Sequence, residues 1–143
     1  MLIDTHAHLE MEPFDNDRED TIKRAKDTGV GYIITVGSDL KGCKGAVELA
    51  EKHGFIYASI GIHPHEVKDI TDETYSTIRS LLKNKKVVAY GEIGLDYHYE
   101  HSPKDIQIKR FREQIQIAKE YNLPLIIHSR DAKDEAVRII KEE

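Results

Sequence analysis

Apolar residues in this chain fall into short continuous runs, separated by longer stretches where they recur every three or four positions. The runs predict strands at Leu2–Thr5, Tyr32–Val36, Phe55–Ile60, Val87–Glu92 and Leu123–His128, several of them rich in β-branched or aromatic residues. The periodic stretches predict helices. These cover Arg18–Thr28, Leu40–His53, a segment capped by Thr71-Asp72 and ending near Lys83, a long segment from Ser102-Pro103 to Tyr121-Asn122, and Asp131–Lys141. Gly29 and Gly54 supply stops, and Pro103 suits a first helical position. In the long helix Ile108, Phe111, Ile115 and Ala118 form the apolar stripe. Strands that are apolar throughout, rather than alternating, belong to a parallel sheet covered on both faces. Both a doubly wound sheet and a (β/α) barrel fit this alternation. No low-complexity segment or linker interrupts it, so residues 1–143 read as one domain.

Composition narrows the class of function. The chain has 143 residues, 39% hydrophobic and 33% charged, which suits a globular domain with a core. A net charge of -5 argues against a general nucleic-acid coat protein. It leaves room for an enzyme that holds phosphates through metal ions. Cys43 is the single cysteine, so no internal disulfide forms, and we read it as structural. No signal-peptide core opens the chain, and no apolar run approaches the roughly 18 residues of a membrane span. The expectation is a cytoplasmic protein without a membrane partner. Asp15, Asp17, Glu19 and Asp20 read as a solvated helix start.

The histidines change the picture most. His6 and His8 follow the first strand, His63 and His65 the third, His98 and His101 the fourth, and His128 ends the fifth; only His53 sits at a helix end. The carboxyl ends of parallel strands form the functional rim of such folds. Positions two apart on a strand share a face, so His6 and His8 can reach one divalent ion; Asp4, on the same face, could orient one of them. The alternative is a pair of surface loop histidines. Glu92 ends the fourth strand between Gly91 and Gly94 and could bridge two ions, or could cap or pair locally. His128 reads as a ligand or a hydrogen-bonded core histidine, and Arg130 as a phosphate contact or a surface ion pair. His63 is a candidate for substrate contact or general acid work. Asp96 and Tyr97, in the following loop, could line a pocket or simply pack.

Ile3-Asp4-Thr5-His6-Ala7-His8-Leu9, Gly61-Ile62-His63-Pro64-His65, Gly91-Glu92-Ile93-Gly94-Leu95-Asp96-Tyr97 and Pro124 to Ala132 together resemble the TatD family of metal-dependent deoxyribonucleases, within the wider amidohydrolase-like group. The resemblance implies a TIM-type (β/α) barrel with one or two divalent ions (Zn, Mn or Mg). It implies metal binding by His6, His8, Glu92 and His128, with Glu92 as the bridge and a catalytic group. It sets His63, Arg130 and Asp96 beside the substrate, DNA or another phosphoester. The implied reaction is hydrolysis of a phosphodiester by metal-activated water. A complete barrel has eight strands in about 250 residues, whereas five strands are read here. The family pattern adds a histidine after the sixth strand and an aspartate after the eighth. The expectation is therefore an incomplete barrel with the last three strands absent, poorly active or inactive alone. Its apolar edge strands would invite pairing with another chain. The competing readings are a related hydrolase of C–N, ester or lactone bonds, and an inactive metal-binding fragment.

Overall fold

The computed structural model describes residues 1–143. The central strands are its best-covered elements: β3 (Ile56–Ile60) and β4 (Val87–Asp96) are buried along nearly their whole length, as continuous apolar runs require. They are flanked by β2 (Val30–Gly37) and β1 (Leu2–Ala7) on one side and by β5 (Leu125–Arg130) on the other. All pairs are parallel and the order is β1-β2-β3-β4-β5. Every strand lies beside its chain neighbour, without the reversal of order that defines a doubly wound sheet. That settles the choice left open by patterning: the sheet is a curled, open half-barrel.

The helices are α1 (Arg18–Asp27), α2 (Leu40–Lys52), α3 (Asp72–Leu81), α4 (Lys104–Glu120) and α5 (Lys133–Glu142). Thr71 caps α3 with a reciprocal Thr71–Thr74 capping box. Pro103 is the N-cap of α4 rather than its first helical residue. Tyr90, Phe111, Ile78, Ile93 and Ile139 are among the largest fully buried side chains between helices and sheet. Cys43 is buried there too, with its thiol on the Gly61 carbonyl at 3.3 Å and its pKa pushed up to about 12, chiefly by burial. It packs as a small apolar residue.

Two strands differ from the patterned reading. β4 continues through Gly91 and Gly94 to Asp96, with a register shift between Tyr90 and Ile93. Gly94 has φ +147°, and a Cβ there would collide with the His128 carbonyl of β5. Gly91 has φ +153°, and a Cβ there would strike Ile126. Glycine thus lets the strand remain paired where a side chain would end it. β5 begins after Pro124 and extends to Arg130, so His128 lies within the strand. β1 pairs only with β2 and β5 only with β4, and Leu2 and Ile3 on β1 are exposed. The two edges are open, as five strands of a barrel require.

The apolar stripe of α4 also needs correction. Ile108 is only half-buried, while Gln107 and Gln114 are fully buried on either side of Phe111. Gln114 grips the backbone after β3, accepting from Ile62 N at 2.8 Å and donating to Ile62 O at 3.0 Å. Gln107 does the same at the end of β4, accepting from Asp96 N at 2.8 Å and donating to Asp96 O at 3.0 Å. Two helix-borne amides thereby set the strand ends that carry the candidate site.

Candidate metal centre

Hydrogen bonds brace the chain around His6 and His8, and His6 N itself donates to Asp4 Oδ1 at 3.1 Å. Leu9 N donates to the Thr35 hydroxyl at 3.1 Å, and that hydroxyl donates to Glu10 at 2.5 Å. Arg18 donates to the Leu9 and Met11 carbonyls at 2.5 and 3.0 Å, bracing the exit from β1. Nδ1 of His8 donates to the Val36 carbonyl at 2.7 Å, which leaves Nε2 as the free lone pair. Nε2 of His8 lies 3.8 Å from Glu92 Oε2, and Nε2 of His6 lies 3.2 Å from the same oxygen. The His8 pKa is raised, first by Glu10 and further by Val36 and Glu92, against burial.

Glu92 divides its two oxygens. Oε2 faces His6 and His8, while Oε1 lies 3.0 Å from His128 Nδ1. His63 Nε2 lies 3.1 Å from the same His128 nitrogen. Burial would raise the Glu92 carboxyl, but His128, His63 and His6 outweigh it and hold it down at about 2. His63 is pushed down to about 4, first by burial and then by its histidine neighbours. The residue is therefore neutral at neutral pH, with its Nδ1 accepting from His65 N at 3.2 Å.

His128 is oriented from the other side. Its Nε2 donates to Asp96 Oδ2 at 2.9 Å, so a neutral ring turns a lone pair at Nδ1 toward Glu92. Two acceptors 3.0 Å apart need a proton or a cation between them. The His128 pKa is raised, most by Glu92 and further by Asp96, against burial. His6, His8 and Glu92 form one group able to hold an ion; His63, Glu92 and His128 form a second. Ligands about 2.1 Å from a common ion sit roughly 3–4 Å from one another, and the separations above match. Nitrogen and carboxylate donors of this kind fit a first-row divalent ion.

Asp96 differs from the expectation in place: it is the last residue of β4 and 1% exposed, rather than a residue of the following loop. Oδ2 accepts from His128 and His65, each at 2.9 Å, and Oδ1 accepts from the backbone N–H of His98 and Tyr99 at 3.1 and 2.9 Å. These bonds hold its carboxyl well below the usual range in spite of burial. Arg130 makes no ion pair; its guanidinium lies 4.8 Å over the ring of Tyr99, on the exposed rim. His53, the histidine away from the rim, pairs with Glu19 at 3.3 Å.

Sequence reasoning passed over Glu10, Thr35, Gln107 and Gln114. Polar residues spaced seven apart on either side of Phe111 are the signal that could have found the two glutamines.

The sequence profile of the TatD related DNase family matches residues 3–143. The chain is 52% identical over 143 residues to the uncharacterized metal-dependent hydrolase YabD of Bacillus subtilis (strain 168), covering 100% of this chain and 56% of YabD. It is 36% identical over 141 residues to the 3'-5' ssDNA/RNA exonuclease TatD of Pantoea sp. (strain At-9b), covering 98% of this chain and 54% of that protein. The crystal structure of the TatD homolog YJJV from Escherichia coli K12 superposes with a TM-score of 0.90 at 35% identity, over 99% of this chain and 55% of that one. The chain thus spans about half the length of the curated relatives it matches. No helix is long and apolar enough to cross a membrane. With that match over residues 3–143, the chain belongs to the TatD related DNase family.

Proposed function

We propose that His6, His8, Glu92 and His128 are the metal ligands of this chain, and that the protein hydrolyses phosphodiester bonds in DNA or a related nucleic acid. The observation that carries the reading is the division of Glu92: one oxygen toward His6 and His8, the other toward His128. A carboxylate so placed can serve two ions at once. Bound divalent cations would activate water and neutralise charge on the phosphate. The imidazole-rich donor set favours Zn or Mn over Mg.

The chain's own residues do the rest. Glu92 holds the two halves of the site in register. Asp96 acts as a positioning residue, turning Nδ1 of His128 inward. His63, kept neutral by burial, holds its Nε2 3.1 Å from His128 Nδ1 and would donate from Nε2 to a phosphate or leaving oxygen once an ion engages that His128 nitrogen. Arg130 is available for a flanking phosphate. Residues 1–143 act as one unit in this reading, in the cytoplasm, and the open β1 and β5 edges are sites where further strands or another chain would pair.

The experiment is hydrolysis of a 5'-labelled single-stranded oligonucleotide with Mn, Zn or Mg. Metal-dependent cleavage, slow from this half-barrel alone and about 100-fold or more slower still in Glu92→Gln, is expected. Ester or amide turnover without nucleic-acid cleavage would contradict the reading.

A further inference from the structure

An aromatic cluster stands on the loop between β4 and α4. Tyr99 is 50% exposed, and His98 and His101 are exposed beside it. The Tyr99 and His101 rings stack with an interplanar angle of 11° and centroids 5.7 Å apart. His101 lies 4.5 Å from the ring of His65, whose Nε2 is on Asp96. A path of rings therefore runs from the proposed metal centre to solvent, with the Arg130 cation over Tyr99.

The loop is built rather than slack. Asp96, which orients His128, also accepts from the backbone of His98 and Tyr99. The Ser102 hydroxyl donates to the His65 carbonyl at 2.9 Å, and Gln107 donates to the Ser102 carbonyl at 2.8 Å. Lys68 Nζ donates to the His101 carbonyl at 3.0 Å. Exposed rings gain little for stability from this arrangement. What it offers is a rigid π surface and a cation beside a phosphoester site.

We infer that Tyr99 and His101 form a base-stacking subsite for single-stranded nucleic acid next to the scissile phosphate, with Arg130 on the adjoining phosphate. Stacking on aromatic side chains tolerates any base, because every base has a π face. Bases inside a duplex already stack on each other, so the platform selects single strands and frayed ends. The inference rests on the phosphodiesterase reading and names its substrate form.

The chain contains no tryptophan, so Tyr99→Trp introduces a single reporter. The protein is titrated, with Mn present, against a fluorescein-labelled phosphorothioate oligo(dT) and an abasic strand with the same number of phosphates. Binding is read by anisotropy and stacking by tryptophan quenching. Quenching by oligo(dT) but not by the abasic strand is expected. So is about 10-fold tighter binding of oligo(dT) by the unmodified protein, a preference kept in Tyr99→Phe and lost in Tyr99→Ala. Equal affinity for the two strands without quenching overturns the subsite and leaves the phosphodiesterase reading standing. Binding of neither strand overturns both.

Discussion

Asp96 Oδ2 accepts a hydrogen bond from His128 Nε2 at 2.9 Å. That bond decides which nitrogen of His128 turns toward Glu92. A carboxylate behind a ligand histidine also raises its basicity, and such groups typically govern metal affinity 10–100-fold. Asp96→Asn is therefore expected to weaken Mn binding by about that factor in calorimetric titration. An unchanged affinity would remove Asp96 from the site's support.

Gln114 fills both backbone groups of Ile62 from inside the core. Leucine has a similar size but leaves the Ile62 N–H and carbonyl buried without partners. At roughly 1–3 kcal/mol per orphaned group, Gln114→Leu is expected to lose about 3 kcal/mol in urea denaturation. A loss under about 1 kcal/mol would mean that water or a shifted loop replaces the amide.

Gly94 and Gly54 make a matched pair. A Cβ at Gly94 meets the His128 carbonyl at a φ of +147°, whereas a Cβ at Gly54 meets nothing within 4 Å. Gly94→Ala is expected to destabilise by ~3 kcal/mol or more and to disturb His128. Gly54→Ala is expected to be neutral or stabilising by ~0.5 kcal/mol. Thermal melts of the two variants compare them directly.

Glu113 on α4 accepts from the Tyr75 hydroxyl of α3 at 2.6 Å and from Arg110 at 2.8 Å. Burial works to raise its carboxyl, but these two bonds and the Arg110 charge pull it below its ordinary value. A carboxyl depressed in the folded state contributes stability that is fully present above the unfolded value, about 4.3. The contribution is lost as pH falls through the folded value. Glu113→Gln is thus expected to be less stable by about 1 kcal/mol at pH 7. The gap should narrow in urea titrations below about pH 4. A gap independent of pH would point to packing instead.

Much of this was legible in the sequence. All five strands and five helices form within a few residues of the segments that apolar runs and periodicity set, because both patterns report burial directly. The end of β4 was not. Gly91 and Gly94 read as an exit from the strand, yet they are glycines because β5 approaches too closely for a side chain. The rim histidines and Glu92 were visible as strand-end residues of the right chemistry. The split of Glu92's oxygens, the inward nitrogen of His128 and the anchoring by Asp96 were not, since each depends on a partner more than thirty residues away. Distance hid Gln114 as well, since its partner Ile62 is 52 residues away; Gln107 bonds to Asp96 only 11 residues away, and what hid it was polarity that argues against burial until the backbone partner is seen.

Glu92 sits between two histidine sets, and the proposal is that both hold metal. Anomalous diffraction from crystals grown with Mn, recorded near the Mn absorption edge, tests it most directly. Density is expected within ligand distance of Glu92 Oε2 and the Nε2 atoms of His6 and His8, with a second peak between Glu92 Oε1 and His128 Nδ1 at full loading. Anomalous peaks elsewhere in the chain, with none at Glu92, would contradict it.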